Sequence, residues 1–171
     1  MPDDGRPLLP AAVLIPLIDH ESGLTVLLTR RTDHLASHAG QIAFPGGRRE
    51  PEDADDVEAA LREAEEEVGL PPAKVRVLGV LPPYVTGTGY RVAPVVGLVR
   101  PPLDLRADPH EVADIFEVPL AFVVDPASHQ QHYRDIGGAR RHFYVLPWQD
   151  RYIWGATAGM LVNLARRLAQ P

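Results

Sequence analysis

Proline and glycine interrupt this chain so often that long uniform elements are ruled out. Eighteen prolines and fourteen glycines are spread over 171 residues, with no fixed-period repeat and no low-complexity tract. Only short strands, numerous connections and a few helices can fit between such breaks. Ala11–Ile18 and Leu24–Leu28 flank the Asp19–Gly23 turn cluster and predict a hairpin-like strand pair. Val75–Leu81, Val92–Val99 and His142–Leu146, rich in β-branched and aromatic residues, predict further strands.

Two segments carry helical spacing. One runs from about Asp53 to Val68, with acidic residues at its start and Gly69, Pro71 and Pro72 after its end. The other runs from about Gly155 to Ala169, where Met160, Leu161, Leu164 and Leu168 recur on one face. Strands mixed with helices predict an α/β (α+β) layered fold over a single domain, residues 1–171.

Composition excludes several functions. Lys and Arg number 17 against 23 Asp and Glu, a net charge of −6, so the chain lacks the basic stripe that a nucleic-acid backbone requires. It contains no cysteine, which removes disulfides, thiolate nucleophiles and cysteine zinc sites. The start Met1-Pro-Asp-Asp-Gly5 is acidic, and Pro16 interrupts the apolar run from Ala11 to Ile18. Neither a signal peptide nor a membrane span is expected, and a cytoplasmic location is.

The first helix concentrates the chemistry. At about 100° per residue, Val57, Leu61, Ala64 and Val68 form an apolar stripe, while Glu63, Glu66 and Glu67 fall on a different arc beside Asp56, Ala59 and Ala60. The small alanines predict that something approaches the helix closely on the acidic side. Three carboxylates at i, i+3 and i+4 repel one another unless a cation joins them, and their hard oxygens suit Mg²⁺, with Mn²⁺ also fitting.

Upstream lies the Phe44-Pro45-Gly46-Gly47 turn, and the segment from Gly47 through Asp53, Arg62, Glu63, Glu66 and Glu67 to Leu70 resembles the Nudix box, a loop–helix–loop signature of hydrolases that cleave nucleoside diphosphates linked to another group. Arg62 to Leu70 matches every defined position. The first half differs: Asp53 stands where Glu is usual, and eight residues rather than seven separate it from Arg62. The resemblance implies an α/β/α sandwich with a mixed sheet between helices. It implies Mg²⁺ held by Glu66 and Glu67, with Glu63 completing the metal shell or helping to deprotonate the attacking water. Arg62 would orient these carboxylates, and Gly47 would offer a carbonyl to the metal.

Leu27-Leu28-Thr29-Arg30-Arg31, Ser37-His38-Ala39-Gly40-Gln41 and Phe44-Pro45-Gly46-Gly47 together resemble the additional motif of the coenzyme A diphosphatase subfamily, with Ala36 where that subfamily commonly has arginine. Segments at 88–97, 111–120 and 153–158 also look like this subfamily. The implied reaction splits coenzyme A into 4′-phosphopantetheine and 3′,5′-adenosine diphosphate. The alternatives are a Nudix diphosphatase for ADP-ribose, NADH or a related dinucleotide, and a non-catalytic nucleotide sensor. On this reading the candidate substrate contacts are Arg30, Arg31, His38, Gly46, Thr88 and Tyr90. Arg30 and Arg31 together could hold a 3′-phosphate, and Glu111 is a candidate for the metal or for general base. Tyr84, Tyr133, Phe143 and Trp154 join Tyr90 as aromatics that are either core or adenine-stacking. The partner expected is a small-molecule substrate, with neither nucleic acid nor membrane, and oligomeric state is left open.

Overall fold

The computed structural model describes residues 5–171, so the acidic start at residues 1–4 lies outside it. Its centre is β1 (Leu9–His20), a strand buried on both faces. Alternate side chains separate cleanly: Ala12, Leu14 and Ile18 enter one core, and Ala11, Ile15 and Leu17 enter the other. That two-residue period dictates a three-layer arrangement, because each face of the strand needs its own cover.

β1 pairs antiparallel with β2 (Gly23–Arg31) through the expected turn, His20 facing Gly23 and Leu17 facing Val26. On its other side it runs parallel to β7 (Tyr90–Val99), in register from Leu9 against Tyr90 to Ile18 against Val99. The sheet is therefore mixed. The predicted strands Ala11–Ile18, Leu24–Leu28 and Val92–Val99 are present and longer than the sequence pattern alone marks. β3 (Ile42–Ala43) and β8 (Val112–Pro119) both pair with β2, and β4 (Gly46–Arg48) pairs with β1. β5 (Val75–Val80) and β6 (Tyr84–Val85) pair with β7. Pro16 is tolerated in the central strand at the hand-over where β1 has left β4 at Val13 and not yet met β2 at Leu17.

α1 (Asp56–Val68) covers one face. It begins three residues later than its acidic run suggests, because Asp55 is the N-cap: its carboxylate accepts the Glu58 N–H at 2.8 Å, and Asp53 is engaged elsewhere. The helix ends at Gly69 in the left-handed region, φ 68°, donating its N–H to Glu65 O. Ala59 and Ala60 correct the expectation of an open acidic side. Both are fully buried beneath the helix, where their small size brings α1 close to the sheet rather than admitting a ligand.

The opposite face is covered by α2 (Leu120–Val124) and α3 (Gly155–Leu168), with Met160, Leu161 and Leu164 buried as expected and Leu168 exposed. A second sheet of β9 (Gln130–Ile136), β10 (Ala139–Trp148) and β11 (Arg151–Trp154) leads into α3, and the predicted strand at His142–Leu146 is the middle of β10.

Candidate active site

Arg62 organises the box from its middle. Its Nε and Nη2 donate to the two carboxylate oxygens of Asp53, each at 2.9 Å, in a planar fork. Nη2 also donates to the Arg48 carbonyl at 3.2 Å, while Nη1 reaches Glu63 at 3.2 Å and Glu66 at 3.4 Å. Asp53 in turn accepts the Glu50 N–H at 2.8 Å. The Arg62 hydrogen bond, with that backbone donor, holds the Asp53 carboxyl at about 2, against 3.8 for an ordinary Asp. The extra residue between Asp53 and Arg62 therefore leaves the contact intact. Asp53 locks Arg62, and Arg62 in turn reaches the carboxylates of Glu63 and Glu66.

Glu67 is nearly sealed, 5% exposed. Burial first, then the charges of Glu63 and Glu111, push its carboxyl up from 4.5 to about 8, against the pull of the Gly46 N–H and of Arg31. Glu63 is also raised, chiefly by burial and then by Glu66, with Arg62 opposing. It lies directly against Gly47: a Cβ there would overlap Glu63 Oε1 and come within 2.7 Å of its Cδ. Glycine at 47 is thus required by the close approach of a carboxylate. Glu111 is held nearby, since its carbonyl accepts the Thr32 N–H and Asp108 in the same loop donates its N–H to the Glu67 carbonyl.

These donors fit a hard divalent cation. Glu63, Glu66, Glu67 and Glu111 bring negative charge together, and Arg62 is already shared with Asp53. Among the described residues no three His, Asp or Glu side chains close into a ready cage. Mg²⁺ does not need one, because it takes one or two carboxylates directly and keeps several waters for substrate oxygens to replace.

Beside the carboxylates opens a cleft of about 720 Å³. Its walls contain Arg31, His38, Gly46, Gly47, Thr88 and Tyr90, so these predicted residues converge on one cavity. Arg30 does not join them. The pairing of β2 with β8 shifts register between the two arginines, and Arg30 pairs with Asp33 at 3.3 Å beside a separate hollow shared with Arg151 and Asp114. The expectation that Arg30 and Arg31 grip one phosphate together is corrected on that ground. His38 sits at φ 55° and hydrogen-bonds Gln41 through Nδ1 at 3.0 Å, ordering the loop that forms one rim.

Thr86 to Gly89 forms the turn that enters β7: Thr86 takes the Tyr90 N–H on its hydroxyl at 3.0 Å and shares a hydrogen bond with Thr88. Of the five aromatics, Tyr84, Tyr90 and Trp154 line the cleft, whereas Tyr133 and Phe143 lie on the β9–β10 ribbon, outside it. Sequence reasoning missed Arg48, whose guanidinium borders the cleft and bonds the Tyr90 hydroxyl through Nε at 3.1 Å and Nη2 at 2.8 Å. It also missed Thr157, which ties the first turn of α3 to the Ile42 carbonyl at 2.9 Å. The position of Arg48 directly after Gly47 was the one available signal.

A mixed sheet thus lies between helices, and the carboxylates of α1 stand beside a cleft through the Gly47 turn that lines it. The NUDIX domain matches residues 8–138, and the chain belongs to the Nudix family. It is 48% identical over 163 residues to the uncharacterized Nudix hydrolase NudL of Escherichia coli strain K12, covering 92% of this chain and 82% of that protein. The same identity and coverage hold for NudL of Shigella boydii serotype 18. Among solved structures, the NUDIX domain of Shewanella oneidensis NrtR, in complex with ADP ribose, superposes with a TM-score of 0.59 at 17% identity, over 99% of this chain and 94% of that one. The M. Smegmatis Nudix hydrolase RenU gives 0.58 at 24%, over 70% of this chain and 76% of that one. At such identities these two matches speak for the fold alone. No helix among the described residues is long and apolar enough to cross a membrane.

Proposed function

We propose that this Nudix hydrolase cleaves the diphosphate of coenzyme A or its derivatives, giving 4′-phosphopantetheine and 3′,5′-adenosine diphosphate. The observation that carries the reading is convergence. Arg31 from the Leu-Leu-Thr strand, Ser37, His38 and Gln41 from the following loop, and the Phe44–Gly47 turn border the same cleft, next to the box carboxylates. Motif segments separate in sequence thus act on one ligand.

Glu63, Glu66 and Glu67, with the Gly47 carbonyl, would hold Mg²⁺ or Mn²⁺, which when bound neutralises diphosphate charge and acidifies a water. The remaining work belongs to the chain itself. Arg62, fixed by Asp53, sets the direction of Glu63 and Glu66. Glu111, whose charge reaches both Glu63 and Glu67, takes the proton of the attacking water. Tyr84 and Trp154 offer flat apolar walls to the nucleoside or the pantetheine arm.

The test is product identification by mass spectrometry after incubation with Mg²⁺ and, separately, coenzyme A, its 3′-dephospho form, ADP-ribose and NADH. Rapid release of 4′-phosphopantetheine and 3′,5′-adenosine diphosphate from coenzyme A is expected. Faster cleavage of ADP-ribose or NADH would overturn the substrate assignment, and binding without cleavage of any of the four would make the chain a sensor.

A further inference from the structure

We propose that Arg31 and Arg48 form a two-guanidinium clamp on the bridging diphosphate of the substrate, and that Tyr90 aims Arg48 at it. The proposal rests on the cleft being the seat of a diphosphate-linked molecule, not on coenzyme A being that molecule.

Most cations near the site are already committed. Arg62 is divided among Asp53, Glu63 and Glu66; Arg49 is paired with Asp56; Arg30 is paired with Asp33 outside the cleft. Arg31 and Arg48 border the cleft, and neither makes an ion pair among the described residues. Arg31 carries a stronger mark. Its Nε is the one buried side-chain nitrogen or oxygen without a hydrogen-bond partner among the described residues, and an orphaned buried donor in a binding cavity points to a ligand that completes it.

Arg48 is oriented rather than neutralised. Nε and Nη2 both donate to the Tyr90 hydroxyl, and its Cζ lies 5.5 Å from the Tyr90 ring centroid. Of the five N–H donors of a guanidinium, this leaves both on Nη1 and one on Nη2 for an anion. Tyr90 is itself pinned by the Thr86 hydroxyl on its N–H, and the Arg48 carbonyl is pinned by Arg62. Arg48 is therefore held in place before substrate arrives, and planar forks suit the paired oxygens of a diphosphate. Tyr90 on this account is a positioning residue, not a stacking platform for the base.

Binding of α,β-methylene-ADP, whose carbon bridge resists hydrolysis, is to be measured by calorimetry with Mg²⁺. Adenosine serves as the phosphate-free control, and circular dichroism checks each fold. Losing charge-assisted hydrogen bonds predicts affinity losses of about tenfold to a hundredfold for Arg31→Gln and for Arg48→Gln, with a smaller loss for Arg48→Lys and none for adenosine. Tyr90→Phe should weaken binding by several-fold alone and add nothing in the Arg48→Gln background. If Tyr90→Phe and Arg48→Gln add fully, Tyr90 touches the ligand directly and its positioning role is wrong. If either glutamine variant binds within twofold of a wild type that binds well, the clamp is wrong while the cleft assignment survives. A wild type that does not bind the analogue removes the diphosphate reading itself. Cleavage of ADP-ribose in place of coenzyme A, with the variant losses intact, would keep the clamp and discard only the coenzyme A assignment.

Discussion

Replacing Glu67 by glutamine should make the metal-free protein more stable while removing most of its turnover. The carboxyl of Glu67 titrates near 8 in the fold, whereas the same group in the unfolded chain titrates near 4.5. Between those values the folded state holds a proton that the unfolded state has released, so stability falls as pH rises through the window and levels off above about 8. Each pH unit inside it costs about 1.4 kcal/mol, so at pH 7 the metal-free fold gives up about 3 kcal/mol at this one group. Glutamine keeps the shape, still accepts from the Gly46 N–H, and never ionises.

Urea unfolding in EDTA at pH 5 and pH 8 measures the effect as the difference between wild type and variant, which cancels the other titrating groups. The two proteins should lie within about 1 kcal/mol at pH 5 and diverge by several kcal/mol at pH 8, the variant being the more stable. Excess Mg²⁺ should narrow or reverse the gap, because only the wild type gains fully from ligation. A variant less stable than wild type at pH 8 in EDTA would refute the reasoning, since it would mean that the buried carboxylate is comfortable without a cation. Normal Mg²⁺-dependent turnover in the variant would refute the place of Glu67 in the metal set.

Gly47→Ala should lower kcat by tenfold or more with little change in melting temperature, because the new Cβ displaces the Glu63 carboxylate rather than backbone; unchanged kcat would show that Glu63 need not lie against the turn. The wild-type fold should weaken as pH falls from about 4 towards 2, where Asp53, depressed by Arg62, finally takes its proton. Arg62→Gln should flatten that part of the acid limb, and denaturant midpoints between pH 2 and 5 would reveal an unflattened one. Gly159→Ala places a Cβ 2.7 Å from Tyr84 Cε2 and Oη, so it should cost about 1–3 kcal/mol of stability and reshape the cleft wall; an unchanged melting temperature would mean that Tyr84 moves freely. EDTA should abolish turnover and Mg²⁺ restore it, as read by product release.

The parts of the molecule legible in the sequence were those whose signal is local. The box helix shows its cap, its apolar stripe and its glycine stop within one stretch of chain, and the β1–β2 hairpin shows its turn residues between two apolar runs. Even there, the start of α1 shifted because Asp55 and Asp53 compete for roles that sequence cannot apportion: one caps the helix, and the other reaches across nine positions to Arg62. The β9 strand, Gln-Gln-His-Tyr-Arg-Asp-Ile, lay outside reach for a different reason. Every residue in it is exposed, so no alternation of polar and apolar side chains marks it.

The cleft shows the same limit at the scale of function. Arg30 and Arg31 are equal candidates in a linear reading, and only the fold separates them, with Arg31 lining the cavity and Arg30 paired with Asp33. Ala59 and Ala60 mislead in the opposite direction: side by side with the acidic arc on a helical wheel, they belong to the core, because the helix sinks far enough into the sheet to bury the boundary between its faces. That depth also explains Glu67. The close packing that seats two alanines at zero exposure draws the neighbouring carboxylate out of water, raises its pKa and leaves it in need of a positive charge. The demand for a cation thus comes from how deeply α1 packs as well as from which residues it carries.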